Sequence, residues 1–124
     1  MSSISARELQ KLLSTEQPNH SDPYNGFALV NVLTPEVFLS EHIPGSVNIP
    51  QASLYEFEKR FQHSKPIILY CASKDCPASE QVAEELAKRG FSDVKTFPGG
   101  MAEWSERNYD IESGERSAQE MNIA

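Results

Sequence analysis

The chain has 124 residues, 39% of them hydrophobic and 23% charged, and carries a formal net charge of −7. That length holds one domain with a core of its own, and the ordinary composition excludes disordered, collagen-like and disulfide-stapled classes. The acidic balance has no basic cluster, which excludes nucleic acid and anionic membrane surfaces as partners, and no apolar run approaches the ~20 residues of a membrane span.

The first seven residues lack the apolar core of a secretory signal, so the chain is expected to be cytoplasmic with its two cysteines reduced. A first helix is predicted over residues 6–13, with Ser5 as cap, Glu8 completing a capping box, and Leu9, Leu12 and Leu13 on one face. Residues 14–26 read as a polar loop, from the density of Pro, Asn, Asp and Gly. A buried strand is expected over 27–32. Thr34 caps a short helix with Pro35 at its first position. Pro44-Gly45 marks a turn, residues 47–49 a short strand, and Leu54, Phe57 and Phe61 a helical face. The continuous apolar run Ile67-Ile68-Leu69-Tyr70 suits a central parallel strand covered on both faces. A helix is expected over 77–89, with Val82, Ala83, Leu86 and Ala87 inward and Gly90 stopping it. Residues 94–97 read as a strand, Pro98-Gly99-Gly100 as a turn, and 101–107 as a short helix. The alternation of strands and helices predicts an α/β domain over residues 1–112, followed by a polar tail over 113–124.

Cys71 follows the central apolar run directly, at the carboxyl end of a strand, where open α/β sheets gather their ligands. The helix that follows aims its positive end at the same place. Ala72, Ser73, Lys74, Asp75 and Cys76 offer five consecutive backbone N–H groups before Pro77, which has none. Curled around Cys71, they would form an anion nest. Such a field favours thiolate over thiol, whereas an ordinary thiol of pKa about 8.5 is only a few per cent ionised at neutral pH. Lys74 adds a cation for an anionic substrate, and Asp75 opposes it. The segment alone leaves a second reading open, a buried inert thiol at a strand end. Cys76 reads as the helix N-cap with little chemistry of its own, the alternative being a resolving thiol for Cys71.

Three separated motifs then resemble the rhodanese-like domain family. The first runs through Leu29-Val30-Asn31-Val32-Leu33, Glu36 and Phe38 to His42-Ile43-Pro44-Gly45-Ser46-Val47-Asn48-Ile49-Pro50. The second is the strand, Cys71, loop and helix. The third is Pro98-Gly99-Gly100-Met101 with Trp104. The resemblance spans residues 4–111. It implies a single parallel sheet of about five strands flanked by helices on both faces. It also implies a sulfurtransferase without metal or organic cofactor. Cys71 would be its catalytic nucleophile, and residues 72–76 would bind the substrate. Its partners would be a small anionic sulfur donor, such as thiosulfate or a persulfide, and a thiol, protein or cyanide acceptor.

The chain departs from the family pattern at Asn31 and Leu33, where an Asp and an Arg are usual, and in a loop about two residues longer if Ser79 matches the helix-start serine. Related phosphatases and arsenate reductases need an arginine six residues past the cysteine; here that residue is Pro77, which argues against phosphate chemistry. Asn31, Leu33 and the arginine-free loop motivate a second reading, a binding or regulatory module. The pair Cys71 and Cys76 motivates a third, a thiol redox protein. His42 is expected to hold the turn rather than act as a base. His20 and His63 are expected at the surface, and Trp104, Phe97 and Met101 in the core.

Overall fold

The apolar run Ile67–Tyr70 becomes the middle strand of the molecule. The computed structural model describes residues 2–114, so nearly all of the 113–124 tail lies outside the described residues. Five parallel strands form one sheet: β1 (Ser2–Ser3), β2 (Ala28–Asn31), β3 (Val47–Asn48), β4 (Ile67–Tyr70) and β5 (Val94–Phe97). Their spatial order is β1-β5-β4-β2-β3, which places β4 at the centre. The helices are α1 (Ala6–Thr15), α2 (Pro35–Ser40), α3 (Tyr55–Arg60), α4 (Ala78–Lys88) and α5 (Gly100–Glu106), with a 3₁₀ turn at Gln51–Ser53.

Side chains alternate across a strand, and the two middle strands use both faces. Ala28, Val30, Ile67, Leu69 and Cys71 pack with Phe57 and Phe61 and with Val82, Ala83 and Leu86 of α4. Leu29, Ile68 and Tyr70 pack on the opposite side with Ala6 and Leu9 of α1 and with Met101 and Trp104 of α5. Each such large side chain contributes roughly 1.5–3 kcal/mol on burial. The sheet therefore has helices on both faces, and its middle strands are largely apolar because neither face meets water.

Local sequence sets the helix ends. Glu8 N–H donates to Ser5 Oγ at 3.1 Å, and Ser5 N–H donates to Glu8 Oε1 at 3.0 Å, closing the expected capping box. Thr34 Oγ1 accepts from Val37 N–H at 3.4 Å at the start of α2. The end of α4 is a Schellman motif, in which Phe91 N–H reaches Leu86 O and Gly90 N–H reaches Ala87 O. Gly90 carries φ +99°, a conformation that suits glycine.

Three details differ from the sequence expectation. β1 was not expected: Ser2 and Ser3 carry no apolar signal and are exposed, and pairing with Lys95 and Thr96 of β5 alone makes them a strand. Helix α4 starts one residue later than expected, with Pro77 as its N-cap, so Cys76 does not cap it. His20 is not a free surface residue. β3 pairs with β2 only from Val30 onward, which leaves the Leu29 N–H without a strand partner. His20 Nε2 accepts that N–H at 3.0 Å. Lys65 is also buried, its ammonium donating to the carbonyls of Asn19, Asp22 and Asn25 at 2.7, 2.7 and 2.5 Å. It ties the 14–26 loop to the start of β4.

Burial lowers the His20 pKa to about 4, so the folded protein holds it neutral while the unfolded chain protonates near 6.5. The unfolded state then binds more protons between those values, so stability falls as pH drops through that window. The share due to His20 amounts to about 2 kcal/mol lost between pH 7 and pH 5. Urea unfolding of wild type and His20→Gln at both pH values should show this loss in the wild type and a flatter response in the variant. Equal slopes would contradict the assignment.

Candidate active site

The central strand ends at Tyr70, and Cys71 follows at the carboxyl edge of the sheet. The first turn of α5 then holds the cysteine loop by its backbone. Met101 N–H donates to Cys71 O at 3.0 Å, and Ala102 N–H donates to Ala72 O at 2.8 Å. These are N–H groups that a helix start leaves without an internal partner. Such close approach needs Gly100. A Cβ on Gly100 would lie 2.4 Å from Cys71 O and 2.8 Å from Ser73 N, and the residue has φ +61°. The Pro98-Gly99-Gly100 turn is therefore a bearing surface for the loop as well as a turn.

The loop continues as a tight turn. Cys76 N–H donates to Ser73 O at 3.0 Å, and Asp75 N–H donates to Ser73 Oγ at 3.3 Å. Two of the five expected nest donors are thus spent inside the loop. The Cys71 thiol is buried, at 2% exposure, and faces the start of α4. Its Sγ donates to Cys76 O at 3.3 Å and to Ser79 Oγ at 3.7 Å. The neighbouring Cys76 and the backbone and hydroxyl of Ser79 act electrostatically on the Cys71 sulfur. Cys71 and the backbone of Ala78 and Ala72 act in the same way on Cys76.

This arrangement reverses the expected charge. Burial, followed by donation to Cys76, pushes the Cys71 thiol up despite the Ser79 donors. Burial opposes ionisation of Cys76 as well, but the Cys71 S–H and the Ala78 and Ala72 N–H groups outweigh it, and its pKa is lowered. The expectation that the loop amides favour a Cys71 thiolate is therefore corrected: the first proton leaves Cys76. Two adjacent thiols titrate as a pair, so a charge on Cys76 disfavours ionisation of Cys71.

Of the remaining sequence candidates, Lys74 and Asp75 are exposed, and Ser73 is half-buried. All three line a broad, open cavity of about 1000 Å³ shared with Glu8, Phe97 and Arg107. Neither cysteine lines that cavity; the Cys71 sulfur faces the start of α4 instead. Ser79, the one side chain besides Cys76 that meets the Cys71 sulfur, carried a sequence signal only as a helix-start serine. Asn31 is buried and its Oδ1 accepts Leu33 N–H at 2.9 Å, while Asn48 Nδ2 donates to the carbonyls of Asn31 and Leu33. A neutral amide network thus joins the ends of β2 and β3 where a charged pair is usual. His42 is buried, stacks on Phe38 and shares Nδ1 with Phe38 O at 2.9 Å, as expected of a turn-holding residue. Phe97, Met101 and Trp104 are core residues. Among the described residues no cluster of His, Cys, Asp or Glu is placed to hold a metal ion, and no helix is long and apolar enough to cross a membrane.

Comparison with known proteins follows the same lines. The family model described as the rhodanese-like domain matches residues 5–107. A thiosulfate sulfurtransferase GlpE of Pseudomonas syringae pv. syringae is 35% identical over 79 residues, which cover 64% of this chain and 73% of that protein. A thiosulfate:glutathione sulfurtransferase of Saccharomyces cerevisiae is 30% identical over 116 residues, covering 82% of this chain and 76% of the yeast protein. Among solved structures, the BH2092 protein of Bacillus halodurans matches with a TM-score of 0.77 at 26% identity, over 90% of this chain and 77% of its own.

The backbone clamp makes a sharp prediction. Gly100→Ala forces the Cβ into the loop backbone and should cost about 1–3 kcal/mol, the range for strained backbone positions. Cys71 should also become more accessible to a small alkylating reagent. Unchanged stability together with unchanged Cys71 labelling would show that the loop does not depend on this contact.

Proposed function

The chain belongs to the rhodanese-like domain family, and on that premise we propose that it is a sulfurtransferase that carries a sulfane sulfur as a persulfide on Cys71. The reading is carried by one observation: the cysteine at the end of the central strand lies against the start of α4, in a chain similar to proteins named thiosulfate sulfurtransferases.

Chemically, the cysteine needs its proton removed before it attacks. In the monoanion of the thiol pair, the Cys71 proton passes to the neighbouring Cys76 sulfur. The Cys71 thiolate is then left facing the N–H and O–H of Ser79. It attacks the outer sulfur of a donor such as thiosulfate. A new S–S bond forms to Cys71, the donor's S–S bond breaks, and sulfite leaves with the bonding pair. An acceptor thiolate attacks the outer sulfur of the persulfide next, forming its own persulfide and returning Cys71 as thiolate. Negative charge stays on sulfur throughout, so fixed N–H dipoles stabilise every state without reorganising. The positive end of α4, an eleven-residue helix, adds to the same field.

Lys74 is the one cation of the loop and is exposed, which suits attraction of a small anion to the mouth of the site. The backbone of residues 72–76 links the two cysteines and is the wall that a donor at Cys71 meets, while Ser73, Lys74 and Asp75 also line the open cavity beside it. The acceptor is a small thiol, a protein thiol or cyanide, and the site of action is the cytoplasm.

The test is intact-mass analysis after exposure to thiosulfate or glutathione persulfide. Wild type and Cys76→Ser are both treated, the second to separate the two thiols. Cys76→Ser should gain the mass of one sulfur, located on the Cys71 peptide. Cys71→Ser should gain none, and its turnover should fall by at least about 10³-fold, the scale expected on losing a covalent nucleophile. Sulfur appearing on Cys76 in Cys71→Ser, with turnover retained, would refute Cys71 as the carrier.

A further inference from the structure

The mechanism above uses Cys76 only to hold a proton, yet its thiol is a second sulfur nucleophile beside Cys71. The Cys71 sulfur lies 3.3 Å from the Cys76 carbonyl oxygen, and Cys76 packs against the cluster that contains Cys71. Both are fixed by their backbones. Cys71 follows β4 and is clamped by α5, while Cys76 is set by its N–H to Ser73 O. Only four residues separate them, and both are free thiols. Cys71 is buried whereas Cys76 is partly exposed. We propose that Cys76 is a resolving thiol, which attacks Cys71 Sγ in the persulfide, closes a Cys71–Cys76 disulfide and expels hydrosulfide.

This inference rests on the reading of Cys71 as the sulfur carrier, and its step balances. The Cys76 thiolate supplies the electron pair for the new S–S bond. The bond between Cys71 Sγ and the sulfane sulfur breaks, and that sulfur leaves as hydrosulfide with the bonding pair. The sulfane sulfur is reduced to sulfide, and the two cysteine thiols are oxidised to the disulfide. Two small thiols, or one dithiol, then reduce the pair and become a disulfide themselves. The exposed member, Cys76, is the sulfur that such a reductant reaches first. The attacking group must be a thiolate, and the lowered Cys76 pKa meets that need. The protein thereby gains a second outlet: sulfide released to solution rather than a persulfide passed to an acceptor.

The experiment loads wild type and Cys76→Ser with thiosulfate, which yields sulfite and no sulfide of its own, and with glutathione persulfide as a second donor. Samples are desalted, acid-quenched and weighed intact, and hydrosulfide is counted. Wild type should lose two hydrogens as a Cys71–Cys76 disulfide, release one hydrosulfide per chain from thiosulfate, and return to the reduced mass with dithiothreitol. Cys76→Ser should keep the extra sulfur on Cys71 and release no hydrosulfide, and Cys76→Ala serves as the second variant if the serine variant does not fold. A wild type that holds a stable Cys71 persulfide would overturn the resolving role while leaving the carrier role standing. Sulfur found on Cys76 of the wild type would overturn it in favour of a relay. Failure of every protein to take up sulfur, with no disulfide formed, would overturn both readings.

Discussion

The structure depends on one contact: the first turn of α5 lying directly on the backbone of Cys71 and Ala72. Two N–H···O bonds fasten the loop there, and Gly100 is the residue that lets the chains come so close. On its other side the cysteine is set by β4, which is hydrogen-bonded to β2 and to β5 along its length. A central strand cannot slip register without turning its whole buried set to the wrong face. Cys71 is thus fixed from both directions, and its sulfur points into the face covered by α4. A group that must meet small ions in one orientation gains from such a rigid support.

Placement then decides charge. Burying a thiol in an apolar setting favours the neutral form, while each N–H or S–H aimed at sulfur favours the anion. At Cys71 the first effect wins; at Cys76 the second does, because Cys71 and the backbone of Ala78 and Ala72 favour its anion. The two residues form a graded pair, an inner thiol that holds its proton and an outer one that ionises more readily. In the proposed transfer the outer member takes up the proton as the buried member becomes the nucleophile. The net charge of −7 works against an anionic donor at long range. Short-range dipoles at the start of α4 and the exposed Lys74 are what remain to draw one in.

Much of this was legible in the residues. Ile67–Tyr70 announced a central strand because a strand buried on both faces has no polar side to show. The Ser5 and Glu8 capping box, Thr34 before Pro35, and Gly90 after α4 were read correctly because each is a local device whose chemistry is complete within a few residues. The misreadings share a cause: they depend on partners far away in the chain. Ser2 and Ser3 are a strand only because β5 has a free edge. His20 is half-buried against β2 because β3 stops short of Leu29, nine residues beyond His20. Lys65 has three carbonyl partners 40 to 46 residues upstream. The use of the loop amides was not legible, since the turn at Ser73 and the donation from Cys71 to the Cys76 carbonyl are three-dimensional facts. Cys76 was taken for a cap because Pro77 usually opens a helix at its first position; here Pro77 is itself the N-cap, which frees the Cys76 thiol for its neighbour.

The unequal ionisation of the two thiols is the central claim, and the pH dependence of alkylation tests it most directly. Each cysteine would be followed separately by mass spectrometry after brief treatment with a small reagent. In wild type, Cys76 should titrate at lower pH than Cys71. In Cys76→Ser, loss of the neighbouring anion should move the Cys71 titration to lower pH. Two independent curves, with Cys71 ionising first and indifferent to the substitution, would contradict the account.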